Sequence, residues 1–143
     1  MKPLRLPGAR AESLTAARRI AAWWLDHVPD DCLPPWDFDA ASDDPVDSSA
    51  GAIAAVGLLR LAALEQYDEF RRRWQQSARA LVAALCHHVT PLHDGDARRP
   101  GMLLDGCYHR PARVAEANEL IWGDYYLLEA LSILTGTIDP SRH

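Results

Sequence analysis

The stretch Ala50-Gly51-Ala52-Ile53-Ala54-Ala55-Val56-Gly57-Leu58-Leu59 is apolar or small on every face, and no charge interrupts it before Arg60. A helix of this kind, predicted over about Ser48 to Leu64, has no side suited to water and is expected to be buried all round. Its small residues suit close approach to neighbouring helices. Asp47, Ser48 and Ser49 stand before it as N-cap candidates.

Working outward, a second helix of the same character is predicted over about Asn118 to Leu134. It reads Leu120-Ile121-Trp122-Gly123-Asp124-Tyr125-Tyr126-Leu127-Leu128-Glu129-Ala130-Leu131, mostly apolar with two acids embedded, and Gly136 is placed to end it. Two further helices are amphipathic. One runs from about Ala9 to Val28, with Leu14, Ala17, Ala21, Trp24 and Val28 at helical spacing and Arg10, Glu12, Arg18 and Arg19 elsewhere. The other runs from about Tyr67 to His88, with Tyr67, Phe70, Trp74, Ala78, Leu81 and Leu85 on one stripe and arginines and glutamines opposite. The chain order is therefore outer, inner, outer, inner.

The connections alternate as well. The outer-to-inner links, about Pro29 to Asp47 and about Val89 to Ala117, are long. The inner-to-outer link at Glu65-Gln66 is very short. Antiparallel hairpins then place both long loops, and the N-termini of both inner helices, at one end. Two such units in series imply an all-α toroid or solenoid of helix pairs. An open arc of this kind exposes apolar flanks, so self-association or a partner chain is expected. The loop-bearing mouth is where a site is expected, and the positive ends of the inner helices favour an anionic ligand there.

Composition narrows the function classes. The 143 residues fit one domain or part of one, 48% hydrophobic and 24% charged, with formal net charge −5. Lys2 is the only lysine. No basic surface argues for nucleic acid, and no apolar run is long enough for a membrane span. Met1 to Arg10 lacks the apolar core of a leader, which points to the cytoplasm. Cys32, Cys86 and Cys107 are an odd number without framework spacing, so reduced thiols are expected.

Several constellations have both a chemical and a plain reading. In Pro34-Pro35-Trp36-Asp37-Phe38-Asp39 the indole could stack on a pyranose while the acids bind hydroxyls. The plainer reading is that Trp36 and Phe38 pin the loop to the core. Asp47-Ser48-Ser49 reads as a cap, which does not exclude a site. Asp124 sits in an otherwise apolar helix and must find a partner, as a buried hub or as a site acid. Cys86-His87-His88 with His93 matches no established metal spacing. Cys107 and His109 form a weak candidate for a thiol nucleophile. Arg71-Arg72-Arg73 reads as a solvated helix face.

Three blocks together resemble the unsaturated glucuronyl hydrolases of glycoside hydrolase family 88. They are Pro35-Trp36-Asp37-Phe38, then Asp47-Ser48-Ser49-Ala50 through Ala52-Ile53-Ala54-Ala55, and Ile121-Trp122-Gly123-Asp124-Tyr125-Tyr126-Leu127-Leu128-Glu129-Ala130-Leu131. Their order and separation match the C-terminal part of that family. The resemblance implies that residues 1–143 are part of a six-hairpin (α/α)6 barrel. It implies an activity that removes 4,5-unsaturated uronic acid from lyase-generated oligosaccharides by hydrating the ring double bond, with no metal and no organic cofactor. It implies no catalytic residue in this chain, because the family's catalytic aspartates lie in an N-terminal portion without counterpart here. Trp36, Asp37, Asp47, Ser48 and Arg113 are the expected substrate-binding residues, with Asp124 as a structural hub. Where some members carry Ser-x-x-Ser-x-Lys, associated with sulfated substrates, this chain reads His109-Arg110-Pro111-Ala112-Arg113-Val114. Two function classes follow: a fragment of a polysaccharide-degrading hydrolase, inactive alone or completed by an N-terminal partner chain, and a non-catalytic helical interaction module that kept the scaffold.

Overall fold

The computed structural model describes residues 9–91 and 97–141. The first eight residues, read above as lacking a leader, and His93, weighed as a metal ligand, lie outside the described residues. Among the described residues there are four α-helices, α1 (Ala9–His27), α2 (Ser48–Leu64), α3 (Asp68–Cys86) and α4 (Ile121–Leu134), one 3-10 turn at Arg110–Ala112, and only isolated β-bridges in place of strands. None of these helices is long and apolar enough to cross a membrane.

The helices start and stop for local reasons. Asp47 caps α2, its side chain accepting from Ser49 N–H. Tyr67, expected inside α3, is extended (φ −96°, ψ 123°) and precedes it. α4 begins three residues later than the pattern predicts. Asn118 exchanges backbone hydrogen bonds with Gly106 (2.9 and 3.0 Å), which holds residues 118–120 extended. That bridge needs glycine at 106, where a Cβ would come within 2.7 Å of Leu120 Cδ1. Gly136, at φ +78°, ends α4 in the left-handed region that favours glycine.

α2 is the spine. α3 packs along it on one side and α4 on another, while α3 and α4 touch lightly, and so do α1 and α2. Trp74, Ala78, Leu81, Val82 and Leu85 of α3 are buried against the α2 residues Ala52, Ala55, Leu59 and Ala62, with Leu127 and Ala130 of α4 closing the core. The predicted α3 stripe is shorter than the pattern suggests, since Tyr67 and Phe70 are exposed.

Polar ties hold the helices in place. Arg18 of α1 grips Glu65 with two hydrogen bonds (2.8 and 2.6 Å), and Trp74 Nε1 donates to the same carboxylate at 3.2 Å. The Glu65 side chain is fully buried, and the Arg18 guanidinium holds its carboxyl below the usual range. Arg60 Nε donates to Glu129 at 3.1 Å, locking α2 to α4.

One expectation fails. α2 is not buried all round, and α4, the other inner helix, is also partly open. Ile53 and Leu64 of α2 and Ile121, Tyr125 and Leu128 of α4 are exposed. An apolar helix records what must eventually be covered, and within this chain each inner helix has neighbours on only part of its circumference.

Candidate functional site

Both long loops meet at one end, over the N-termini of α2 and α4. Asp47 organises the junction. Its Oδ1 accepts from Ser49 N–H (3.1 Å), Ser49 Oγ (2.6 Å) and the Cys107 N–H of the second loop (3.2 Å). Ser49 Oγ in turn accepts from Trp122 Nε1 at 3.0 Å. One carboxylate thereby connects α2, the second loop and α4. The α2–α4 approach is close here, since a Cβ on Gly123 would stand 3.2 Å from Ser49 Cβ.

A second clamp joins the two loops. Arg110 donates from Nε to Asp44 (2.9 Å) and from Nη1 to Glu116 (2.6 Å). The guanidinium is raised by these two acids, and Asp44 is held below the usual carboxylate range mainly by Arg110. Arg110 is therefore occupied by protein carboxylates. His88 Nδ1 lies 2.7 Å from Asp105 Oδ2, tying the end of α3 to the same loop.

The residues singled out from sequence have different fates. Trp36 is half-buried, and its buried indole N–H faces the Asp44 carboxylate, which it helps to hold low, without making a well-formed hydrogen bond. Asp37 is exposed, and its Oδ1 accepts from Asp39 N–H at 3.0 Å. Ser48 is buried and donates to Leu104 O at 2.6 Å. Arg113 is exposed at the tip of a tight turn, in a left-handed conformation (φ 55°) that closes the His109–Val114 bridge. Asp124 is half-buried, and its Oδ1 accepts from Leu103 N–H at 2.7 Å, pinning the second loop to α4. Asp124 also pushes the neighbouring Glu119 carboxyl above its usual range, by a hydrogen bond and by its charge. The Cys107 thiol is buried and pushed up by burial and by Asp47, the opposite of what a thiolate nucleophile needs.

Sequence reasoning missed the most open aromatic pair at this end. Tyr108 is 62% exposed and Trp122 37% exposed. Their rings lie 5.8 Å apart, centre to centre. Trp122 is oriented by its bond to Ser49, so part of its face is available in a fixed position. An aromatic in the first turn of an inner helix at the loop-bearing end carried the signal. The acids flanking Trp36 drew attention away from it.

No family model matches the sequence. The chain is 39% identical over 124 residues to an unsaturated glucuronyl hydrolase of Bacillus sp. strain GL1, covering 85% of this chain and 32% of that protein. It is 36% identical over 119 residues to an unsaturated chondroitin disaccharide hydrolase of Streptococcus pneumoniae, covering 78% and 28%. The crystal structure of the Bacillus sp. GL1 enzyme, described as responsible for the degradation of glycosaminoglycan, superposes with a TM-score of 0.78 at 38% identity, over 87% of this chain and 33% of that one. The chain spans about a third of the length of the relatives it matches.

Proposed function

We propose that this chain, homologous to about a third of an unsaturated glucuronyl hydrolase, is the C-terminal part of a barrel that removes 4,5-unsaturated uronic acid from the oligosaccharides left by polysaccharide lyases. The observation that carries this reading is the prebuilt mouth. Two long loops are locked together by Asp47 and Arg110, and between them an oriented aromatic pair, Tyr108 and Trp122, stays open. Aromatic faces held in place suit the apolar face of a sugar ring.

In this reading Trp36, Asp37 and Arg113 meet the oligosaccharide from the first loop and the tip of the second. Asp47 and Ser48 act indirectly, by holding the loops that bear those groups. The reaction protonates the ring double bond at C4 and adds water at C5. The hemiketal opens to a C5 ketone, which leaves C1 a hemiacetal, and its collapse to an aldehyde releases a keto-uronate that no longer has the double bond and a shortened sugar. A general acid must stand within hydrogen-bond reach of the reacting carbon. By family resemblance that acid comes from the portion without counterpart here, so the chain alone binds weakly and does not turn over. Free thiols at Cys32, Cys86 and Cys107 suit a cytoplasmic location.

The test follows the ultraviolet absorbance of the unsaturated uronate in a chondroitin disaccharide. The chain alone should leave the absorbance unchanged, and adding a fragment that carries the remaining helices should start its decay. Steady loss with the chain alone, abolished by Asp37→Asn or Asp124→Asn, would overturn the division of labour. No loss with any complementing fragment would favour the interaction module.

A further inference from the structure

The two long loops carry a strong charge of one sign. Over residues 29–47 and 97–120 acidic residues outnumber arginines ten to four, and the first loop holds seven aspartates with no arginine or lysine. Arg110, in the hairpin that follows Tyr108, is engaged by the protein itself, through Nε to Asp44 and Nη1 to Glu116. The first amides of α2 are taken as well. Ser48 N–H donates to Asp105 O (3.0 Å) and Ser49 N–H to Asp47 Oδ1 (3.1 Å). α4 opens between two carboxyl groups, Glu119 just before it and Asp124 in its first turn. The groups that could hold an anion at this place are thus matched to acids of the chain.

What stays open beside these carboxylates is an aromatic surface, Tyr108 and Trp122. The residue before Tyr108 registers the local field. The Cys107 thiol is pushed up by burial first, and then by the charges of Asp47 and Glu116. An ionised carboxylate only accepts hydrogen bonds. It can take one from a sugar hydroxyl. It can take none from a sulfate or from another carboxylate, and it repels both. An aromatic face beside carboxylates therefore selects a ring that is polar and uncharged.

We propose that the Tyr108–Trp122 surface takes an uncharged sugar unit, the neighbour of the unsaturated uronate in the oligosaccharide, and disfavours sulfate esters on that unit. Glu116 and Asp44 set the discrimination, because they neutralise Arg110 and leave no cation beside the rings to meet a sulfate. The inference rests on the hydrolase reading for the identity of the oligosaccharide. The charge selection itself is a matter of binding and needs no turnover.

The measurement is a titration of the nitrogen-15-labelled full chain with an unsaturated chondroitin disaccharide, either unsulfated or 6-sulfated. It follows the NMR shifts of the Tyr108 amide and the Trp122 indole N–H. Both signals should move, and the unsulfated sugar should bind more tightly at low salt by a factor of about three to five, the repulsion of one like charge at close range in water. The gap should close at high salt, where the charges are screened. Glu116→Gln keeps an acceptor for Arg110 and removes one negative charge, so it should narrow the gap at low salt with an unchanged helical circular dichroism spectrum. If that variant fails to fold, the salt series on the wild-type chain decides. Equal or tighter binding of the sulfated sugar at low salt overturns the proposal. So does a preference that high salt leaves intact, or the absence of shifts at Tyr108 and Trp122 with either sugar. The absorbance assay on the complemented barrel is independent of each of these outcomes, so the inference can fail while the hydrolase reading stands.

Discussion

α1 and α3 are the same kind of element in two situations. Both are outer helices of 19 residues with an apolar stripe. On α3 that stripe, from Trp74 to Leu85, is almost wholly buried. On α1 the corresponding residues Leu14, Ala17, Ala21 and Trp24 are only half-buried, and Ile20 and Trp23 are exposed. The difference lies in what stands beside the helices among the described residues, because α3 packs along α2 while α1 touches α2 only lightly. Helical stability in proteins comes mostly from packing of the amphipathic face. Outer helices of similar pattern should therefore differ widely in local stability.

The largest effect should come from truncating the core aromatic of each helix. Trp74→Ala removes a fully buried ring that also donates to Glu65, and should cost about 3–5 kcal/mol in urea denaturation. Trp24→Ala should cost about 1–2 kcal/mol, because much of its surface is already in water. Equal losses at the two positions would break the comparison.

Next in size is the second-loop tie. Asp124→Ala leaves Leu103 N–H without its acceptor and should cost about 1–3 kcal/mol. Asp124→Asn, which keeps an acceptor oxygen, should cost less. An unchanged denaturation midpoint for Asp124→Ala would remove the hub role.

The smallest effect is the acid response of the α1 tie. Glu65 has its folded-state pKa depressed chiefly by its hydrogen bond to Arg18. A depressed carboxyl contributes stability that is fully present above its unfolded value, about 4.5, and is lost as the pH falls through the lower folded value. The melting temperature should drop on that acid limb, and Arg18→Met should flatten the drop. An acid limb identical in the variant would show that Glu65 draws its stabilisation from elsewhere.

Much of the fold is legible in the sequence, because helical period and loop length are local properties. Asp47 as a cap and the four helices follow from neighbouring residues. The loop network does not. Arg110 with Asp44, and Asp47 with the Cys107 N–H, join residues 66 and 60 positions apart, and no local pattern announces such pairs. The all-round burial inferred for α2 fails for a related reason. Apolarity of Ile53 or Leu128 states the need for a partner without saying which chain supplies it. Tyr108 and Trp122 became site candidates only when their exposure and the Ser49 bond were seen together.

The most direct test of the central claim, that α1 packs on an inner helix far less than α3 does among the described residues, is native-state amide hydrogen exchange on the chain at low concentration. Amides in α1 should exchange faster than those in the middle of α3 by about two orders of magnitude, as expected for a helix that opens locally. Equal protection of α1 and α3 would contradict the account.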